Sequence, residues 1–220
     1  MTRLRVLVAC EFSGIVRDAF IAAGHDAVSC DLLPSELPGP HLRADIRDVL
    51  ELYGPFDLMV AHPPCTFLAV SGARWFAGRR QEQADALAFV SLLMDAPIPR
   101  IAIENPVSVI SSRIRKPDQI VQPWMFGEPF QKTTCLWLKG LPQLVPTDIV
   151  EGREQAVWRE APSPDRWKNR SRTYPGFARA MAAQWGDPEA GTRPNESSLD
   201  SGPVALSWLD NLTAAPRIGR

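Results

Sequence analysis

The stretch 56–74, FDLMVAHPPCTFLAVSGAR, constrains the fold more than any other. Its first six residues form a short, mainly apolar run without the polar alternation of a half-solvated strand. Such a run reads as a strand of a parallel sheet, buried on both faces. Proline cannot continue a strand ladder, and the run stops at Pro63-Pro64 with Cys65 immediately beyond. Open α/β sheets bind ligands in the crevice outside the carboxyl ends of their strands. Cys65 is therefore a candidate nucleophile, the alternative being a small buried hydrophobe.

Similar runs recur along the chain. Residues 4–10 (LRVLVAC) and 27–30 read as strands on either side of a helical pattern over 15–23, which Gly24 ends. This βαβ opening predicts a parallel sheet. Between its first strand and helix lies Glu11-Phe12-Ser13-Gly14. One reading is a cofactor loop, in which Gly14 lets an adenosine-bearing ligand approach the backbone and Asp31 bonds a ribose hydroxyl. The other is a plain strand-to-helix turn with an exposed aspartate. Residues 32–42 read as a proline-rich loop, after which Asp45 either caps a helix or meets the adenine end of a cofactor. Ser71, Gly72 and Arg74 fall in a loop over 70–75, and residues 81–94 form an amphipathic helix whose expected role is packing. Residues 100–103 give another buried-strand signal, ending in Glu104-Asn105-Pro106. Two strands of one parallel sheet would bring Cys65 and Glu104 to the same edge, making Glu104 a candidate acid or substrate partner.

Residues 119–127 read as irregular, 132–138 (KTTCLWL) as a strand ended by Gly140, and 141–168 as a loop with at most one short helix. Arg166, Lys168, Arg170 and Arg172 are expected on one loop face, as solvated charge or as phosphate contacts. A final helix covers 176–185, a mobile tail starts at 187, and residues 205–212 within it could dock as a short apolar turn. The formal net charge of -1 predicts no broad basic field. Cys10, Cys30, Cys65 and Cys135 lack CxxC spacing, so free thiols and no metal are expected. No apolar run approaches membrane-spanning length and no signal-peptide pattern opens the chain, which predicts a soluble, cytoplasmic protein.

Taken in order over residues 4–185, these motifs resemble those of the cytosine-C5 DNA methyltransferases. Phe12-Ser13-Gly14 fits the family's F-x-G-x-G loop, with Val16 in place of the second glycine. Asp31 falls at the ribose-binding acid and Asp45-Ile46 at the residues near adenine. Asp57 and Cys65, with Pro63-Pro64 between them, match the nucleophile turn, and Thr66 stands where the family has glutamine. Glu104-Asn105-Pro106 matches Glu-Asn-Val. Residues 126–134 match a Tyr-Gly-x-Pro-Gln-x-Arg-x-Arg entry, Lys132 keeping the first charge and Thr134 replacing the second. The family's asparagine near the last helix is Phe177 here.

The resemblance implies a Rossmann-like S-adenosylmethionine-dependent methyltransferase fold, α/β, with a mostly parallel sheet and helices on both faces. Residues 1–186 would be the catalytic domain, with 141–168 standing in place of a target-recognition domain and 187–220 as a flexible tail. It further implies that Phe12, Ser13, Gly14, Asp31, Asp45 and Pro63 hold S-adenosyl-L-methionine. Cys65 and Glu104 would be catalytic, with support from Arg74 and Lys132, while Arg166, Lys168, Arg170 and Arg172 contact DNA. The implied reaction is methyl transfer to C5 of a flipped cytosine through a covalent Cys65 adduct. Alternatives are modification of single-stranded DNA or a free cytosine nucleotide, transfer of another group, or a silent cofactor- or DNA-binding module. A nicotinamide oxidoreductase ranks last. Target recognition would fall to a partner chain, a second copy, or the 141–168 segment.

Overall fold

Strands built from continuous apolar runs form the middle of one seven-stranded sheet in a computed structural model that describes residues 2–155 and 159–187. In chain order the elements are β1 (Arg5–Ala9), α1 (Ile15–Ala22), β2 (Asp26–Asp31), β3 (His41–Arg43), α2 (Ile46–Leu52), β4 (Leu58–Ala61), α3 (Arg80–Met94), β5 (Arg100–Pro106), α4 (Ile110–Arg113), β6 (Gln119–Val121) and β7 (Thr134–Lys139). A short helix Arg166–Ser171 and a final helix Pro175–Trp185 follow. The strand order is β3-β2-β1-β4-β5-β7-β6. All pairs from β3 across to β5 are parallel, whereas β7 runs antiparallel to both β5 and β6. The sheet is thus mostly parallel and Rossmann-like. Its order reverses at β1 and β4, the switch point outside which a ligand crevice opens.

Successive strand residues point to opposite faces, and the two faces carry separate cores. Val6 and Val8 pack with Phe20 of α1 and with Phe177, Met181 and Trp185 of the final helix. Leu7 and Ala9 pack on the other face with Ile46 and Val49 of α2 and Val90 and Leu93 of α3. Burial of one such side chain contributes roughly 1.5–3 kcal/mol, so helices are needed on both faces, as found.

Three stretches differ from their sequence reading. The expected loop 32–42 runs into β3, whose pairing with β2 starts at Ser29↔His41. The stretch expected to be irregular, 119–127, holds β6 and a 3-10 turn, Pro123–Met125. Val70–Gly78 is a 3-10 helix rather than a loop. In the segment after β7, Thr147 and Asp148 donate backbone N–H groups to the Met125 carbonyl, Gly127 donates to Asp148, and Gln131 donates to Glu154. These bonds lay that segment against the 126–131 turn. The expected tail falls, beyond Asp187, outside the described residues, and so does the apolar turn at 205–212.

The final helix closes on the same turn. Phe126 and Phe177 stack with centroids 5.1 Å apart, and a Cβ added at Gly176 would overlap the Phe126 carbonyl oxygen. Gly176→Ala should therefore lower unfolding stability by about 1–3 kcal/mol, the usual cost of overpacking. Urea unfolding, with the dependence on denaturant unchanged, is the measurement.

Candidate active site

β4 and β5 pair in parallel register, with Ala61 opposite Ile103. The next residues on each strand, His62 and Glu104, therefore face each other, and the His62 ring places Nδ1 3.5 Å from Glu104 Oε2. One residue further on, Asn105 Nδ2 donates to the Pro63 carbonyl at 2.8 Å. That bond fixes the Pro63-Pro64 turn against β5. Cys65 begins a tight turn in which its carbonyl accepts from Leu68 N and Ala69 N, leaving its side chain exposed. It opens into a cleft of about 410 Å³ whose walls also include Phe12, His62, Glu104, Lys132 and Arg170. The structure thus brings together Cys65, Glu104 and Lys132 from three different strand ends. Arg74 is not among the lining residues; its guanidinium lies 5.0 Å from the Trp75 ring centroid on the exposed 3-10 helix.

The charges around the cleft are coupled. Burial alone would raise the Glu104 carboxyl, but hydrogen bonding from His62 and the positive charge of Lys132 bring it below its ordinary value. Glu104 is therefore a carboxylate at neutral pH although only 9% exposed. The Cys65 thiol is shifted upward, first by desolvation in the cleft wall and then by the Glu104 charge, against which Lys132 and Arg170 act. At neutral pH it is a thiol that must lose its proton before it can act as a nucleophile.

A second chamber of about 240 Å³ opens beside the first, and Cys10 and Pro64 line both. Cys30, Asp31, Leu32, Ala44, Asp45, Ile46, Arg47 and Phe89 complete it. Phe89 belongs to α3, so that helix does more than pack; its ring lies 5.1 Å from the Arg47 guanidinium carbon. Cys10 has φ 58, a left-handed backbone costly for a residue other than glycine and characteristic of functional sites. Burial raises the Asp31 carboxyl, and the Leu33 N–H donates to it at 2.9 Å. Asp45 caps α2 by accepting from Arg47 N at 2.9 Å, which settles its local role as the cap while leaving it in the chamber wall.

The glycine loop does not work as a plain ligand cradle. A Cβ at Gly14, where φ is 80, would meet Arg17 Nη2 at 2.5 Å, so the space beside this glycine belongs to a buried arginine. The Glu11 carboxylate occupies the start of α1, accepting from Val16 N at 2.7 Å and Arg17 N at 3.2 Å. Phe12 and Ser13 nevertheless line the larger chamber, next to Pro63. The smaller chamber is thus a mainly apolar slot with Asp31 and Asp45 in its wall, joined to the larger one through Cys10 and Pro64.

The basic residues do not share a loop face. Arg166–Ser171 is helical. Lys168 pairs with Asp165 at 3.7 Å, and Arg172 is held by two bonds of 2.7 Å from its Nε and Nη2 to Glu36. Of the four, Arg170 and Arg172 line the cleft. Sequence reasoning missed several lining residues, His62 and Trp167 among them. His62 sits within the HPPC string, where its place at a strand end was the available signal. Trp167 lies inside the basic segment and packs 5.9 Å from Phe12. Among the described residues no cluster of His, Cys, Asp and Glu could hold a metal ion, and no helix is long and apolar enough to cross a membrane.

No family model matches the chain, and no curated protein is similar to it at a significant level. Solved structures are similar to it. A candidate DNA modification methyltransferase encoded within an E. coli prophage is 15% identical, with 72% of this chain and 55% of that chain covered and a TM-score of 0.42. The S. pombe Dnmt2 methyltransferase is 18% identical over 72% of this chain and 54% of its own, with a TM-score of 0.45. The Entamoeba histolytica methyltransferase EhMeth is 16% identical over 70% and 58%, with a TM-score of 0.45. The chain spans somewhat more than half the length of these solved chains. Matches this distant assign neither a substrate nor any residue.

The coupling of Cys65 to its neighbours has a direct readout. Iodoacetamide alkylation, followed at the Cys65 peptide by mass spectrometry, should show an inflection above the ordinary thiol value. Glu104→Gln removes the charge that raises it and should move the inflection to lower pH; Lys132→Met should move it higher.

Proposed function

We propose that the protein transfers a methyl group from S-adenosyl-L-methionine to C5 of cytosine in DNA through a covalent adduct on Cys65. The observation that carries this reading is the placement of Cys65 and Glu104 at adjacent strand ends in one cleft, beside a chamber suited to an adenosine. Cytosine C5 is too weak a nucleophile to take a methyl group unaided. Cys65 overcomes this by adding its sulfur to C6, which leaves C5 enamine-like. Glu104 accepts from the exocyclic amine, and the proton that the Cys65 thiol gives up passes to N3, where the Glu104 carboxylate accepts its hydrogen bond and stabilises the charge that develops on the ring. His62 keeps Glu104 ionised and oriented, and Lys132 favours the thiolate. Asp31, Asp45, Phe12, Ser13 and Pro63 would hold S-adenosyl-L-methionine, which would supply the activated methyl group that C5 takes. Loss of the C5 proton to a base then expels Cys65, and the C6–S bond breaks.

This arrangement couples substrate binding to activation of the nucleophile. While the cleft is empty of base, the Glu104 charge opposes formation of the Cys65 thiolate. A cytosine edge bonded to Glu104 disperses that charge, so the thiol loses its proton more readily once the target is in place. In the free protein the thiol titrates above its ordinary range, and kcat/KM should therefore rise with pH toward that value.

Incubation with methyl-labelled S-adenosyl-L-methionine and cytosine-containing DNA tests the reading. Label should appear at cytosine C5, Cys65→Ala should reduce it to background, and Glu104→Gln should lower kcat by roughly 10²–10³-fold. Full turnover by Cys65→Ala would refute the mechanism.

A further inference from the structure

The cleft has a wall whose aromatic face the methyl-transfer chemistry does not use. The helix Arg166–Ser171 contributes Trp167, Arg170 and Ser171 to the same cavity as Cys65, and Lys132 and Arg172 adjoin them. Trp167 is 54% exposed, its ring held at the rim by a tilted contact with Phe12 at 5.9 Å. The Lys168 ammonium lies 5.7 Å from its centroid and adds positive charge there. Arg172 is neutralised by Glu36, but the Nε of Arg170 is buried with no hydrogen-bond partner among the described residues, and its charge reaches Cys65. An open aromatic face beside Arg170 and Lys132, neither of which forms a salt bridge among the described residues, is the combination that holds unpaired nucleotides, by stacking the base and bonding the phosphate.

Size and surroundings narrow the substrate further. At about 410 Å³ the cleft is in the range of sites for single small ligands and takes one nucleotide, whether free, in a single strand or turned out of a duplex. Residues 147–154 of the segment between β7 and this helix are bonded to the 124–131 stretch, and so do not stand out to grip a second strand. Extracting a base costs least when it is already unpaired. We infer that the wall of Trp167, Arg170 and Lys132 selects a cytosine 5′-phosphate unit outside a duplex, Trp167 stacking on the strand and Arg170 and Lys132 holding the phosphate. The inference rests on the reading above for the identity of the base. The same chemistry is offered by a single strand and by free dCMP.

Binding separates the cases. Fluorescence anisotropy of an end-labelled, cytosine-containing single strand should show affinity at least about tenfold tighter than for the same sequence as a duplex, the scale of one stacking contact. Trp167→Ala should lose roughly that factor, while Trp167→Phe keeps most of it. Arg170→Ala should weaken the strand and flatten its salt dependence. Unchanged melting temperatures would show that the variants are folded. Displacement by dCMP at strand-like affinity would assign the free nucleotide; much weaker displacement would assign the strand. Duplex binding as tight as the strand, or unaltered strand binding by Trp167→Ala, would overturn the inference. A single-strand preference without label transfer to any DNA would leave it standing and remove the methyl-transfer reading instead.

Discussion

The hydrogen bond from Asn105 to the Pro63 carbonyl joins the two strand ends on which the site depends. Parallel pairing of β4 and β5 brings those ends to one edge, but pairing stops where Pro63 can no longer donate. Beyond that point the chain could leave in many directions. The amide of Asn105 holds the proline turn in place, and the nucleophile is delivered two residues later. The same register sets His62 against Glu104. A shift of one residue would turn every side chain of β4 to the opposite face and separate the pair.

A second set of contacts shapes the far side of the cleft. Arg17 is wholly buried, and its guanidinium donates to Ser29 Oγ, Ser35 Oγ and the carbonyls of Leu37 and Pro38. A buried cation is tolerable only when its donors are used in this way. Here they tie the proline-rich loop to α1. That loop carries Glu36, which in turn holds Arg172 beside the cleft. The pair is partly exposed, so solvent screening keeps its contribution to stability small. Its effect is positional: it occupies Arg172 and leaves Arg170 and Lys132 as the cleft's cations open to a ligand.

Much of this arrangement was legible in the sequence. Continuous apolar runs mark β1, β2, β4, β5 and β7, because a strand buried on both faces has no polar alternation to hide it. Helical periodicity marks α1, α3 and the final helix. The edge strands β3 and β6 escaped, since HLR and QIV are three residues each and too short for any period to show. Cys65 and Glu104 were found because both follow a strand signal directly. The antiparallel direction of β7 has no local signature, and neither does a contact such as Glu36 to Arg172, whose partners are 136 residues apart. Gly14 misled for a related reason. It was read as a place of close approach by a ligand, but the group approaching it is Arg17, from the first turn of α1.

The central claim is that Cys65 attacks cytosine, and a mechanism-based trap tests it most directly. Fluorine at C5 cannot leave as the proton does, so an adduct that has accepted the methyl group cannot eliminate its thiol. DNA containing 5-fluorocytosine, incubated with the protein and S-adenosyl-L-methionine, should give a stable covalent complex. Peptide mapping by mass spectrometry should place the modified nucleotide on Cys65. Attachment to Cys10, Cys30 or Cys135 instead, or no adduct under conditions where unfluorinated cytosine is methylated, would contradict the account.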